Sequence, residues 1–186
     1  MTPKTPRAVV AYPRGQEPDF WNPNPAEPKY RYALGRLAPK SVASKPLVVM
    51  GMNPSHANEF TSDGTVNNVI AASVQLGYTG WVMLNLYPKR ESSPSKLGAF
   101  DKKLSDANCA VIARLIKKHA ISEIWGAWGD LPNPTIRVAK AAVLNALSPL
   151  HTRVFYFGDL TLKREPRHLH PRGPKLDVTA QKHYLR

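Results

Sequence analysis

Leu47-Val48-Val49-Met50-Gly51-Met52-Asn53-Pro54-Ser55 is the stretch that decides how this chain is read. Apolar residues run without alternation up to Gly51, and a continuous run of that kind suits a strand covered on both faces, as in a parallel sheet. Asn, Pro and Ser follow almost at once, so the strand opens into a tight polar loop. On open α/β sheets ligands lie beyond the carboxyl ends of the strands. That rule places Met52, Asn53 and Ser55 at a candidate site.

Strand and helix patterns keep alternating downstream. Asp63-Gly64-Thr65 precedes Val66, Val69, Ile70 and Val74 at a spacing near 3.6, which predicts a helix closed by Gly77. Residues 81–86 predict a second buried strand. The polar loop after it, Tyr87 to Pro94, carries the adjacent cations Lys89 and Arg90. A helix starting near Ser105 lines up Val111, Ile112, Leu115 and Ile116 on one stripe. Residues 121–128 predict a third strand, Asn133-Pro134 a capped helix start, and residues 151–157 a fourth strand. This order predicts an α/β fold: a three-layer sandwich with a four-stranded parallel sheet between helices, joined by right-handed crossovers.

The flanks differ in composition. Half of the 18 prolines fall in residues 1–46, and proline removes donors and restricts its neighbour, so an extended arm is expected there. Its aromatics, Phe20, Trp21, Tyr30 and Tyr32, are expected to pack it on the body. Residues 47–186 then make up the α/β domain. From residue 159 onward Pro166, Pro171, Gly173 and Pro174 predict a basic loop holding Lys163, Arg164, Arg167, His168, His170, Arg172 and Lys175.

Charge points to the partner. Lys and Arg outnumber Asp and Glu by 26 to 13 in 186 residues, a formal net charge of +13, which concentrates polyanions around the molecule. Nucleic acid is the expected partner, DNA ahead of RNA. The single Cys109 excludes an internal disulfide, and its place on the stripe with Ile112 and Ile116 suits a small buried hydrophobe. No run approaches the roughly 18 apolar residues of a membrane helix. A cytoplasmic protein fits both facts. His168 and His170 lack a carboxylate or thiol at matching spacing, so neither metal nor cofactor is expected.

Four rim segments come in a suggestive order: Gly51-Met52-Asn53-Pro54-Ser55, Asn85-Leu86, Trp125-Gly126 and His168-Leu169-His170-Pro171-Arg172-Gly173. In that order they resemble the uracil-DNA glycosylase superfamily. The chain also resembles the family known as domain of unknown function 1643, through Tyr30-Arg31-Tyr32, Met52-Asn53-Pro54-Ser55, Asp63-Gly64-Thr65, Asn85-Leu86, Trp128-Gly129 and Pro166-Arg167-His168. The glycosylase resemblance implies hydrolysis of the N-glycosidic bond of a flipped-out base. Asn53 would orient the attacking water, Asn85 would read the base edge, and His170 would be the histidine of the His-Pro loop, with His168 competing for that place. Lys89, Arg90, Lys163, Arg164, Arg167, Arg172 and Lys175 would contact phosphates. An amide at position 53 cannot take a proton, so slow turnover is implied. Asp63 has two readings, a helix cap or the carboxylate that position 53 lacks. The rival functions are nucleic-acid binding without catalysis and an enzyme acting on free nucleosides or nucleotides.

Overall fold

The computed structural model describes residues 10–37, 44–169 and 176–185. In chain order the elements are β1 (Phe20–Asn22), β2 (Ala33–Arg36), β3 (Pro46–Gly51), α1 (Gly64–Gln75), β4 (Gly80–Asn85), α2 (Lys102–Lys118), β5 (Glu123–Gly126), α3 (Pro134–Leu147), β6 (Arg153–Phe157) and β7 (Lys182–Tyr184). Among the described residues the strands form one mixed sheet in the order β1-β2-β4-β3-β5-β6-β7. Its core, β4-β3-β5-β6, is parallel throughout.

Both faces of that core are covered, which is why its sequence shows no alternation. Leu47, Val49, Trp81, Met83, Trp125 and Phe155 pack with Val66, Val69 and Ile70 of α1 in one apolar cluster. Val48, Met50, Val82, Leu84, Ile124 and Val154 pack with Ile112 and Ile116 of α2 and Ile136 and Val143 of α3 in the other. Every residue of β3 and β4 is buried. The helices begin where side-chain caps allow: Asp63, Asp101 and Asn133 accept from the backbone N–H groups of Val66, Leu104 and Ile136. The Asp101 cap starts α2 three residues ahead of the expected Ser105.

Two expectations need correction. The proline-rich N-terminal segment does more than lie across the body, because β1 and β2 extend the sheet antiparallel on β4. Ala33 to Arg36 is free of proline and can ladder fully, while three-residue β1, bounded by Pro18 and Pro23, takes the edge where missing donors cost least. The basic C-terminal segment, expected as loop throughout, returns as β7, antiparallel to β6. A three-residue strand carries too little alternation to read from sequence.

Glu123 at the start of β5 fastens this last strand. Its carboxylate accepts from Arg153 Nη2 at 2.7 Å, Tyr184 Oη at 2.6 Å and Lys182 Nζ at 2.9 Å. Partial burial opposes ionisation of Glu123, but the Tyr184 and Lys182 hydrogen bonds and the charges of Lys182 and Arg153 outweigh it and hold the pKa below the usual carboxylate value. A depressed folded-state pKa stabilises above the unfolded value, near about 4.3, and that contribution is lost as pH falls through the folded value. Glu123→Gln is therefore expected to unfold at lower temperature than wild type at neutral pH. The gap should narrow as pH falls below the unfolded value and on through the lower folded one, as read from thermal melts across pH.

Candidate functional site at the carboxyl rim of the parallel strands

At the carboxyl end of the core, β3 and β4 run in register as far as Gly51 opposite Asn85. The pairing then continues into the loops, with Leu86 N–H donating to Gly51 O at 2.9 Å, Tyr87 N–H to Met52 O at 3.1 Å and Glu91 N–H to Pro54 O at 2.9 Å. Asn53 completes the tie. Its Nδ2 donates to Glu91 O at 2.7 Å, Pro54 O at 3.1 Å and Lys89 O at 3.4 Å. Three carbonyl acceptors can be served only by the amide N–H₂, which fixes the side chain's orientation chemically and leaves Oδ1 as its other end.

Asn85 is fully buried, and neither Nδ2 nor Oδ1 has a hydrogen-bond partner among the described residues. By strand alternation its side chain lies on the α1 face with Trp81 and Met83. It fits there because position 51 is glycine: a Cβ at Gly51 would collide with the Met83 methyl and lie 3.2 Å from Asn85 Oδ1. From the opposite face Asn108 of α2, also buried, donates Nδ2 to Asn85 O at 2.9 Å and Leu86 O at 3.2 Å. Sequence reasoning passed over Asn108, although a polar residue on the buried stripe of a helix is the available signal.

The remaining expected residues divide. Met52 packs partly buried against the α2 and α3 core, and Ser55 Oγ pairs with His56 Nδ1 at 2.7 Å. Asp63 has both oxygens on backbone amides, Oδ1 accepting from Val66 N–H at 2.9 Å and Oδ2 from Ala57 N–H at 3.3 Å, so its geometry is that of a helix cap. His168 sits half-buried with its Cβ 3.0 Å from where a Cβ of Gly129 would stand, an approach that the bare residue at φ +71° permits. The next residue, Leu169, is buried in the α1-face cluster and accepts at its carbonyl from Asn68 Nδ2 of α1 at 3.2 Å. Thus the segment carrying His168 is anchored to the same rim as Asn53 and Asn85. His170, Arg172 and Lys175 lie outside the described residues.

The expected phosphate contacts also separate. Lys163 and Arg164 are exposed on a turn at residues 161–165, and exposed Arg167 donates Nε to Asp159 O at 3.1 Å. Lys89 and Arg90 are instead half-buried loop ties: Lys89 Nζ donates to Leu97 O at 2.8 Å, and Arg90 Nη1 to Ala57 O at 2.9 Å and Ser55 O at 3.3 Å. A cation pair in a polar loop reads as surface, yet these two are turned inward onto loop carbonyls.

An amide buried without partners costs about 1–3 kcal/mol. Asn85→Leu, close in volume and apolar, is expected to raise the urea midpoint. Asn53→Ala, which severs the tie between two loops, is expected to lower stability by about 1–2 kcal/mol. Equilibrium urea unfolding of both variants checks the opposite signs, and a destabilised Asn85→Leu protein would mean that the amide is satisfied in the native state.

Comparison with curated proteins and with solved structures gives no match, and nothing in it supports kinship with the glycosylases. The family profile described as protein of unknown function (DUF1643) matches residues 31–171, a span that contains β2 through β6 and every rim residue described above. With so much of its length matched, the chain belongs to the DUF1643 family.

Proposed function

We propose that the protein recognises a nucleobase at this rim, in DNA ahead of RNA, and hydrolyses its N-glycosidic bond. The observation that carries the reading is Asn85, a buried amide whose donor and acceptor lack partners among the described residues at the carboxyl end of a parallel strand. One amide matches the paired donor and acceptor on the edge of a pyrimidine. Asn53 Oδ1 would accept from a water set against the sugar. His168 or His170 would stabilise charge gathering on the departing base, where a donor has most effect. The exposed cations Lys163, Arg164 and Arg167 support the same reading.

Base recognition without hydrolysis is the second reading, and one observation favours it. Asp63, the carboxylate that would serve in place of position 53, has both oxygens occupied by backbone amides, and Asn53 itself cannot accept a proton.

Duplexes carrying uracil, mismatched thymine or modified pyrimidines, scored for alkali-labile abasic sites, test the proposal. Strand cleavage that disappears in Asn85→Ala and rises on the order of 10²-fold in Asn53→Asp, where a general base is restored, is the expected result. Binding that survives while no substrate yields product would leave recognition alone. Affinity should fall steeply with salt, and neutralising Lys163, Arg164 or Arg167 should reduce the slope of log K against log salt by roughly one for each phosphate that the variant no longer neutralises.

A further inference from the structure

A small cavity beside the rim is lined by Trp21 of β1, Arg31, Tyr30, Asn58, Glu59 and Arg90, among others. Three of the residues that line it carry a buried N–H donor, Trp21 Nε1, Arg31 Nε and Arg90 Nε, and none of the three has an acceptor among the described residues. Arg31 is only 3% exposed. The two guanidinium groups meet at one carbonyl, Arg31 Nη1 donating to Ala57 O at 2.6 Å and Arg90 Nη1 at 2.9 Å. Neither is within 4.0 Å of a carboxylate among the described residues: Glu59 and Asp63 act on them only at longer range, and Asp63 is already occupied as a cap. Burial, and then the adjacent Arg90 charge, push the Arg31 pKa down to about 10.

Two like charges and three unanswered donors around one space call for an acceptor carrying negative charge. The cavity holds about 10 Å³, room for a single oxygen, and it adjoins an open cleft of about 620 Å³ that shares Ala26, Glu27, Asn58, Glu59 and Arg90 with it. A water oxygen accepts two hydrogen bonds and brings no charge. A phosphoryl oxygen brings the charge and a further lone pair.

We propose that the cavity takes one oxygen of a single phosphoryl group whose remainder lies in the adjoining cleft. That cleft is also walled by Glu27, Glu59 and Glu91, of which Glu27 and Glu91 are fixed by the N–H groups of Lys29 and Ser93. Such a wall opposes a continuing row of phosphates. The ligand is therefore a phosphomonoester, either on a small molecule or at the end of a strand, and the inference stands apart from base recognition at Asn85.

Inorganic phosphate is the first probe, followed by thermal melting of the full chain. The midpoint should rise with phosphate beyond the effect of chloride at equal ionic strength, and Trp21→Phe, which keeps the ring and removes one donor, should need about tenfold more phosphate for the same shift. Arg90→Lys, checked for an unchanged circular dichroism spectrum, should lose the response. Oligonucleotides of one sequence with 5′-phosphate or 5′-hydroxyl ends assign the source: competition by the phosphorylated strand alone means a strand end, and competition by neither means a small phosphomonoester. Phosphate that acts no differently from chloride, or that shifts Trp21→Phe as strongly as wild type, overturns the proposal.

Discussion

The rim depends on the bare backbone at Gly51. Because no side chain projects there, the Met83 methyl and the Asn85 amide can both occupy the α1 face of the sheet beside it. β3 and β4 stay in register to that point, and their loops remain paired beyond it through Leu86, Tyr87 and Glu91. A methyl group at position 51 would have to move one of two fully packed neighbours, and packed interiors transmit such shifts instead of absorbing them.

Elsewhere the fold answers its buried polar groups with care. Glu165, 9% exposed, accepts from Trp128 Nε1 and from Lys140 Nζ, and Ser73 Oγ donates to Gly80 O at 2.7 Å. Against that background the unanswered groups are informative by how they gather. Trp125 Nε1 and Asn108 Oδ1 lack partners among the described residues as well, and the structure offers no functional account of them. Asn85 differs because both ends of its amide are unanswered among the described residues at a strand terminus, and Trp21, Arg31 and Arg90 differ because all three line one cavity.

The parallel core was legible because continuous apolar runs such as Leu47 to Met50 have one economical explanation, burial on both faces. Caps were legible for the same local reason: Asn133-Pro134 and Asp63 act within three residues of themselves. What the chain concealed depends on long-range contacts. The pairing of β2 with β4 joins residues some fifty positions apart and leaves no periodic trace in four residues. Arg31 and Arg90 are polar residues among polar and aromatic neighbours, and only the folded chain reveals that their guanidinium groups are turned to loop carbonyls. Asn85 could be singled out in advance because an amide ending an apolar strand must find a partner somewhere.

Charge, finally, does two separate kinds of work in this protein. Lys102, Lys103, Arg114, Lys117, Lys118, Lys163 and Arg164 are exposed, and they can supply the long-range field that the excess of cations implies. Arg31, Lys89, Arg90 and Lys140 are wholly or partly withdrawn from solvent, and each holds a carbonyl or carboxylate in place. The exposed set is screened beyond a Debye length of about 8 Å at physiological salt, while the withdrawn set is screened much less. Attraction of a polyanion to the surface and capture of one phosphoryl group beside Arg31 therefore respond differently to ionic strength.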